Sequence, residues 1–396
     1  MSTTAKHTVM SPLANDGWLL VGNPENRRLR LFHHALEQRG LGVASVLSYE
    51  ALLQNFPLLE QRLMTALASM DTDRITIRID SPGENRAVEH GLIRLGFEDA
   101  PRDPPQLSNE VGEIADLRYW YQGFKRLLMQ LKSTATTAAK QGKNIQFMSQ
   151  PDDIALMFDK QKSHAHLFRQ GISVIPALPK ISNHRMLRQY MLEQRCHRVF
   201  VKSRYGSSAS GVIAYEVHPD GKRESASTSI ELVSHKRRPQ LYNSLKPRKY
   251  SHPEEISQLM EALFTQDVHI EQWLPKSRIG GFAYDLRIMA IGGRPAHSVV
   301  RKSKTPLTNL HLGNQRGCLQ ELGWDKTQLE RLEKCVSDTA AAFPDSHYMG
   351  IDLLLPRGGK NPRIIEVNAF GDLLPGIQFQ GRDSFGLEID RWRDRV

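Results

Sequence analysis

The chain has 396 residues, 40% of them hydrophobic and 24% charged, ordinary proportions for a globular protein with two or three domains of ~150 residues. No apolar run approaches the ~18 residues of a membrane helix, and no stretch resembles a signal peptide. Three cysteines (Cys196, Cys318, Cys335) offer neither a disulfide framework nor a paired metal motif, which points to a reducing cytoplasm. The 53 Lys and Arg exceed the 43 Asp and Glu by ten, so anionic partners are favoured: nucleotide, phosphorylated metabolite, acidic peptide or nucleic acid.

Residues 1–16 read as a loose tail. Trp18–Gly22 is an apolar strand ending in Asn23-Pro24-Glu25-Asn26. Leu29, Phe32 and Leu36 recur at helical spacing within Glu25–Arg39, and Gly40 and Gly42 stop that helix. Val43–Leu47 reads as a strand and Leu58–Met70 as a helix. Ile75–Asp80 alternates strictly and ends in Ser81-Pro82-Gly83-Glu84, and Glu84–Leu95 is helical again. Three strand–helix units predict an open parallel sheet over 17–110. Ligands of such sheets bind at the strand carboxyl ends, so the two turns named here are either plain β-to-α connections or substrate contacts. A proline-containing break covers Arg102–Pro105. Val111–Gln141 is a long helical stretch, and 111–145 is expected to link domains.

Beyond Ile145, four separated segments read as parts of one nucleotide site. Val199–Lys202 is an apolar strand running into a small-residue loop, Ser203 to Val212. Its backbone N–H groups at Gly206, Ser207, Ser208 and Gly211 can approach phosphate oxygens, and Lys202 adds a point charge. Lys160 lies between two short helices, ahead of Gly171-Ile-Ser-Val-Ile-Pro176. Next, His269–Pro275 runs from strand to turn, where the Gln272 carbonyl and the Leu274 N–H can meet the edge of adenine; Asp285 follows as an acceptor for ribose hydroxyls. Finally, Gly350–Pro356 and Arg363–Asn368 are two strands joined by a turn. Glu366 and Asn368, two apart, share a face, and Asp352 reaches it from the partner strand. Two carboxylates and an amide oxygen make a hard site suited to Mg²⁺. Acids inside apolar runs are costly unless paired or metal-bound.

In this order the motifs resemble the ATP-grasp superfamily, and most closely its RimK-type peptide–glutamate ligases, over Gln150–Gly376. The resemblance implies an α/β and α+β architecture: an N-terminal open parallel-sheet domain, a first ATP-grasp part with a small lid (146–268), and a larger C-terminal part carrying the metal site (269–396). It implies that Lys160 and Lys202 contact ATP phosphates and that Gln272, Trp273 and Leu274 hold adenine. Asp285 falls at the ribose. Arg287 of Asp285-Leu286-Arg287, Arg301, and Asn309 within Leu307–Gly313 fall near the phosphates. Asp352, Glu366 and Asn368 match the metal ligands, for two Mg²⁺ ions with Mn²⁺ as a substitute. The implied reaction joins a small-molecule or peptide carboxylate to an amine through an acyl phosphate, with Arg287 and Arg301 on the transferring phosphoryl group.

Ser203 replaces the family's proline, Ala209 a glycine, and Ala369–Gly376 replaces a Ser-Ser-Pro-Gly loop, so the acceptor differs. Asp372 in that loop is read as an outer-shell metal partner, a loop cap, or the group that receives the amine. The alternatives are a phosphotransferase that stops at phosphorylation, or a basic nucleic-acid-binding protein with a vestigial ATP site. Segment 235–249 is read as a basic loop that is solvated, faces substrate or binds nucleic acid. The sequence leaves the substrates and any homo-oligomer open.

Overall fold

The computed structural model describes residues 16–395 except 73, 99–104, 106, 108, 109, 111, 207–209 and 235–238. The expected tail (apart from Asp16), most of the proline break, and Ser207 and Ser208 lie outside the described residues.

The N-terminal unit runs β1 (Gly17–Gly22), α1 (Arg27–Glu37), β2 (Ser45–Ser48), α2 (Tyr49–Gln54), α3 (Leu59–Ala68), β3 (Arg74–Ile79), α4 (Arg86–Phe97), α5 (Leu117–Lys140) and β4 (Asn144–Phe147). Its sheet is parallel, in the order β2-β1-β3-β4. Asn26, Ser48 and Asn85 cap α1, α2 and α4 with side-chain oxygens that accept N–H groups of the first turn. Most of the stretch expected as a linker, Leu117–Lys140, is instead a layer of this unit. Helix α5 lies against α4 so closely that a Cβ on Gly123 would sit 1.9 Å from the Leu92 carbonyl oxygen, and one on Gly96 would sit 1.9 Å from that of Tyr119. The chain then returns as β4 to complete the sheet.

Helices α6 (Pro151–Phe158) and α7 (Lys160–Arg169) lead to α8 (His184–Glu193) and a second sheet. That sheet contains β5 (Arg198–Ser203), β6 (Val212–Val217), β7 (Glu224–Ser234), β8 (Pro239–Tyr250) and, after α9 (Pro253–Phe264), β9 (Val268–Gln272). It is antiparallel, ordered β8-β7-β6-β5-β9, and packs a core of its own around Leu187, Val201, Ile213, Tyr215 and Leu259. This is the lid. The described part of the basic segment, 239–249, is therefore not a loop: it belongs to β8, on the edge of the lid sheet, with Arg248 paired to Glu231 at 2.6 Å. The Gly112–Ile114 stretch, expected as helix, lies along β8 instead: the Ile114 N–H donates to the Leu241 carbonyl at 2.7 Å, and the Asn243 N–H to that of Gly112.

The C-terminal unit holds β10 (Arg278–Ile279), β11 (Phe282–Ile291), β12 (Arg294–Ser303), β13 (Gln315–Gly317), α10 (Lys326–Ala341), β14 (Tyr348–Leu354), β15 (Arg363–Asn368) and α11 (Ser384–Arg395). Its antiparallel sheet runs β13-β12-β11-β14-β15, with β10 on β11. The N- and C-terminal units share continuous apolar packing, since Leu19, Ile77 and Phe124 join Leu286, Ile351 and Val367 in one core. No described helix is long and apolar enough to cross a membrane.

Candidate functional site

Strand β3 shows how both faces of the N-terminal sheet are used. Ile75, Ile77 and Ile79 face α3–α5, while Thr76 and Arg78, with Asp80 just past the strand end, face α1 and α11 and are equally buried. Arg78 is 1% exposed; its guanidinium donates to Glu388 on α11 at 2.6 Å and lies 4.3 Å from the ring centroids of both Phe32 and Tyr348. Asp80 accepts from Arg28 at 2.5 Å, and Arg28 also donates to the Phe370 carbonyl, just beyond β15. The carboxyl end of the parallel sheet is thereby fixed beside loop 369–376.

On the C-terminal sheet, charged side chains of β11, β12 and β14 form an alternating ladder. Lys276 donates to Asp285 at 2.8 Å, and Asp285 accepts from Arg301 at 2.7 Å. Arg301 donates to Asp352 at 3.2 Å, Arg287 grips both oxygens of Asp352, and its remaining arm reaches Asp372 at 3.5 Å. The strand register explains the assembly: Asp285 lies opposite Arg301, Arg287 opposite Asp352, and Asp352 opposite Glu366. Buried acids of this kind must be paired. Burial works against the Asp285 anion, but Arg301 and Lys276 outweigh it and hold the carboxyl below the usual carboxylate range.

Two lysines arrive from other elements. Lys160, the first residue of α7, donates to the Gly206 carbonyl and stands 3.9 Å from Glu366. Lys202, at the end of β5, pairs with Glu271 of β9 at 2.7 Å, and His269 stands 3.1 Å from the other Glu271 oxygen. Burial favours neutral Glu271, yet Lys202 prevails and holds its pKa at about 2. Burial likewise opposes the Glu366 anion; Lys160, Lys202 and Arg287 overcome it and keep the carboxyl below its ordinary value. Burial pulls the Lys160 ammonium below the ordinary lysine value.

The loop after Lys202 is pinched around Ser203. A Cβ on Gly206 would lie 2.3 Å from the Ser203 hydroxyl oxygen, and one on Gly211, whose φ is +70°, would lie 2.2 Å from it. The Ser203 N–H donates to the Gly211 carbonyl at 2.7 Å, a bond the family's proline could not make.

The structure thus brings together Lys160, Lys202, Gly206, Gly211, Asp285, Arg287, Arg301, Asp352, Glu366, Asn368 and Asp372. Two expectations change. Asp285 is 1% exposed and both its oxygens are engaged, by Arg301 on one side and by Lys276 and Thr308 on the other. It orients Arg301 rather than facing a ribose. Asn309 uses its side chain locally, accepting the His311 N–H at 2.9 Å, and its neighbour Thr308 is the residue that touches the ladder. Gln272 ends β9 and Trp273 and Leu274 follow it; the Gln272 N–H donates to the Pro176 carbonyl, and Trp273 packs on Phe200 with Arg198 over its ring.

Sequence reasoning missed Lys276, Thr308 and Glu271. The readable signal for Glu271 was its i, i+2 spacing from His269 in an otherwise apolar strand; both are at most 5% exposed. No group of three His, Cys, Asp or Glu side chains forms a metal cluster among the described residues. The expected set instead has two carboxylates and an amide. Asn368 uses its Nδ2 on the Gly350 carbonyl at 3.4 Å, which leaves its oxygen as the acceptor, on the same face as Glu366. Both Asp352 oxygens are taken by Arg287 and Arg301 in this structure, so the oxygens of Glu366 and Asn368 are the donors that fit a hard cation.

The chain is similar to D-cycloserine synthetase DcsG, with 13% identity, a TM-score of 0.50, and coverage of 96% of this chain and 99% of that one. It is also similar to the ATP-grasp ligase PsnB complexed with minimal precursor (12%, TM-score 0.49, 96% and 98%) and to D-alanine–D-alanine ligase from Bacillus anthracis complexed with ATP (13%, TM-score 0.49, 96% and 98%). No protein-family model and no curated protein matches the chain. At such identities likeness speaks to architecture alone: a parallel-sheet unit, a separately packed antiparallel sheet and an antiparallel sheet carrying the charged ladder.

Proposed function

We propose that this protein is an ATP-dependent ligase that joins a carboxylate to an amine, releasing ADP and phosphate. The observation that carries this reading is the meeting of Lys160, Lys202, Arg287 and Arg301, drawn from four elements, around Asp352 and Glu366. In this network five cations are matched by five carboxylates. A balanced site suits a ligand whose phosphate charge is itself balanced by metal. Glu366 and Asn368, joined by Asp352 where it releases a guanidinium contact, would hold Mg²⁺, which when bound supplies Lewis-acid neutralisation of phosphate oxygens.

Lys160 and Lys202 bind and orient the ATP phosphates, and the connector Gln272–Leu274 takes adenine. A carboxylate oxygen of the first substrate attacks the γ-phosphorus, and the bond to the bridging oxygen breaks as ADP leaves with the electron pair. The amine lone pair then attacks the acyl carbon. The carbon–oxygen bond to phosphate breaks, and the nitrogen sheds a proton. Arg287 and Arg301, held in place by Asp352 and Asp285, face the phosphoryl oxygens through this sequence. Asp372 has the most exposed side chain of the five carboxylates, at 39%, and is the one placed to meet an incoming ammonium.

The test is ADP release screened over pairs of acids and amines, with mass spectrometry of the products. An amide formed alongside ADP and phosphate is the expected outcome. A stable phosphorylated product would make the protein a phosphotransferase, and no ADP release with any pair would remove the enzymatic reading.

A further inference from the structure

The lysines at positions 160 and 202 belong to different parts of the fold, so something must set their mutual geometry. Asp159 caps α7 by accepting the Lys162 N–H at 3.1 Å, and its side chain is fully buried. Its two oxygens accept from Arg204 Nε and Nη2, both at 2.7 Å. Arg204 lies two residues beyond Lys202. Its carbonyl accepts the Lys160 N–H at 3.1 Å, and its own N–H donates to the Asp267 carbonyl at 2.9 Å. The next residue, Tyr205, stacks on Tyr121 of α5 with centroids 4.4 Å apart and planes 13° from parallel; Tyr121 in turn donates to the Ala155 carbonyl of α6. Lys160 closes the circuit by donating to Gly206.

We propose that Arg204 and Asp159 are positioning residues for nucleotide phosphates, a clamp that fixes the Lys160 and Lys202 ammonium groups relative to each other and to Gly206. The inference rests on the reading of those lysines as phosphate ligands. A buried ion pair is rarely the cheapest way to stabilise a fold, because apolar side chains of similar volume do as well. This pair does what apolar contacts do not: its planar two-bond geometry fixes direction as well as distance. It joins the residue before one phosphate lysine to the residue two beyond the other.

The experiment compares Arg204→Gln, Arg204→Lys and Lys160→Ala in the full chain. Calorimetry measures the Kd of each for a non-hydrolysable ATP analogue with Mg²⁺ and for AMP, which lacks the β- and γ-phosphates. Arg204→Gln is expected to weaken the analogue by about tenfold, the scale of one lost charged contact, with AMP affinity unchanged. Arg204→Lys should restore only part of the loss, since an ammonium cannot make both bonds. A purely structural staple would lower both affinities together or neither, and that pattern with Lys160→Ala still selective would overturn the clamp while leaving the nucleotide reading intact. Should Lys160→Ala leave the analogue's affinity at the wild-type value, the nucleotide reading itself falls. If Arg204→Gln does not fold, Asp159→Asn, which keeps the shape and the helix-capping oxygen, takes its place with the same two outcomes.

Discussion

Replacing Arg78 with Met tests whether the buried cluster welds the N-terminal sheet to the C-terminal unit. The thioether fills much of the space between Phe32, Tyr348 and Phe385 but removes the guanidinium that pairs with Glu388. Asp80 keeps Arg28; Glu388, 1% exposed, has Arg78 as its ion-pair partner and is left alone. Removing one partner of a buried pair costs about 3–5 kcal/mol, and the lost cation–π contacts add to that. The pH dependence has a definite sign. Burial already raises the Glu388 pKa above 4.5, despite the opposing pull of Arg78. A carboxyl whose folded pKa lies above its unfolded value stabilises the fold most when protonated, and that contribution fades as pH rises through the folded pKa. Without Arg78 the folded pKa climbs further, so the deficit of Arg78→Met should be smaller near pH 5 than near pH 8, the lost cation–π contacts remaining at both. Urea unfolding at both pH values, with Arg78→Met/Glu388→Gln alongside, is the assay. The double variant should recover at least half of the loss at pH 8. A deficit under about 1 kcal/mol, or one identical at the two pH values, would refute the argument.

Glu366→Gln should abolish most ATP turnover with the melting temperature unchanged, because the swap is nearly isosteric and its nearest ion-pair partner is 3.9 Å away; full turnover would remove Glu366 from the site. Gly211→Ala combines a φ of +70° with a 2.2 Å clash on Ser203; it should cost about 1–3 kcal/mol in chemical denaturation and weaken nucleotide binding. Gly123→Ala would drive a Cβ to 1.9 Å from the Leu92 carbonyl oxygen, forcing α4 and α5 apart. It should lower the melting temperature well beyond any effect of Ala at Gly83, whose φ is outside the left-handed region and where a Cβ would meet only the Ser81 hydroxyl at 3.4 Å, and equal melting of the two would show that the helix contact carries little.

Local pattern made much of this protein legible. The 3.6-residue spacing of Leu29, Phe32 and Leu36 and the alternation of Ile75, Ile77 and Ile79 set the order of the parallel unit, because periodicity acts over a few residues. Glu366 and Asn368 were readable as same-face neighbours for the same reason. The sequence could not show that the polar side of β3 is as buried as its apolar side, since that depends on α11, some three hundred residues away, supplying Glu388 and Phe385. Nor could it show that Leu117–Lys140 is a layer rather than a bridge, because that depends on the close approach of Gly96 and Gly123, which lets α5 lie on α4. Which charges pair with which was likewise decided by strand register: Asp285 belongs to Arg301 and Lys276 because β11 runs beside β12 and the connector folds back over both. Side-chain chemistry is written in the chain, but the partners of a buried charge are chosen by packing between distant segments, where the cost of leaving it unpaired is highest.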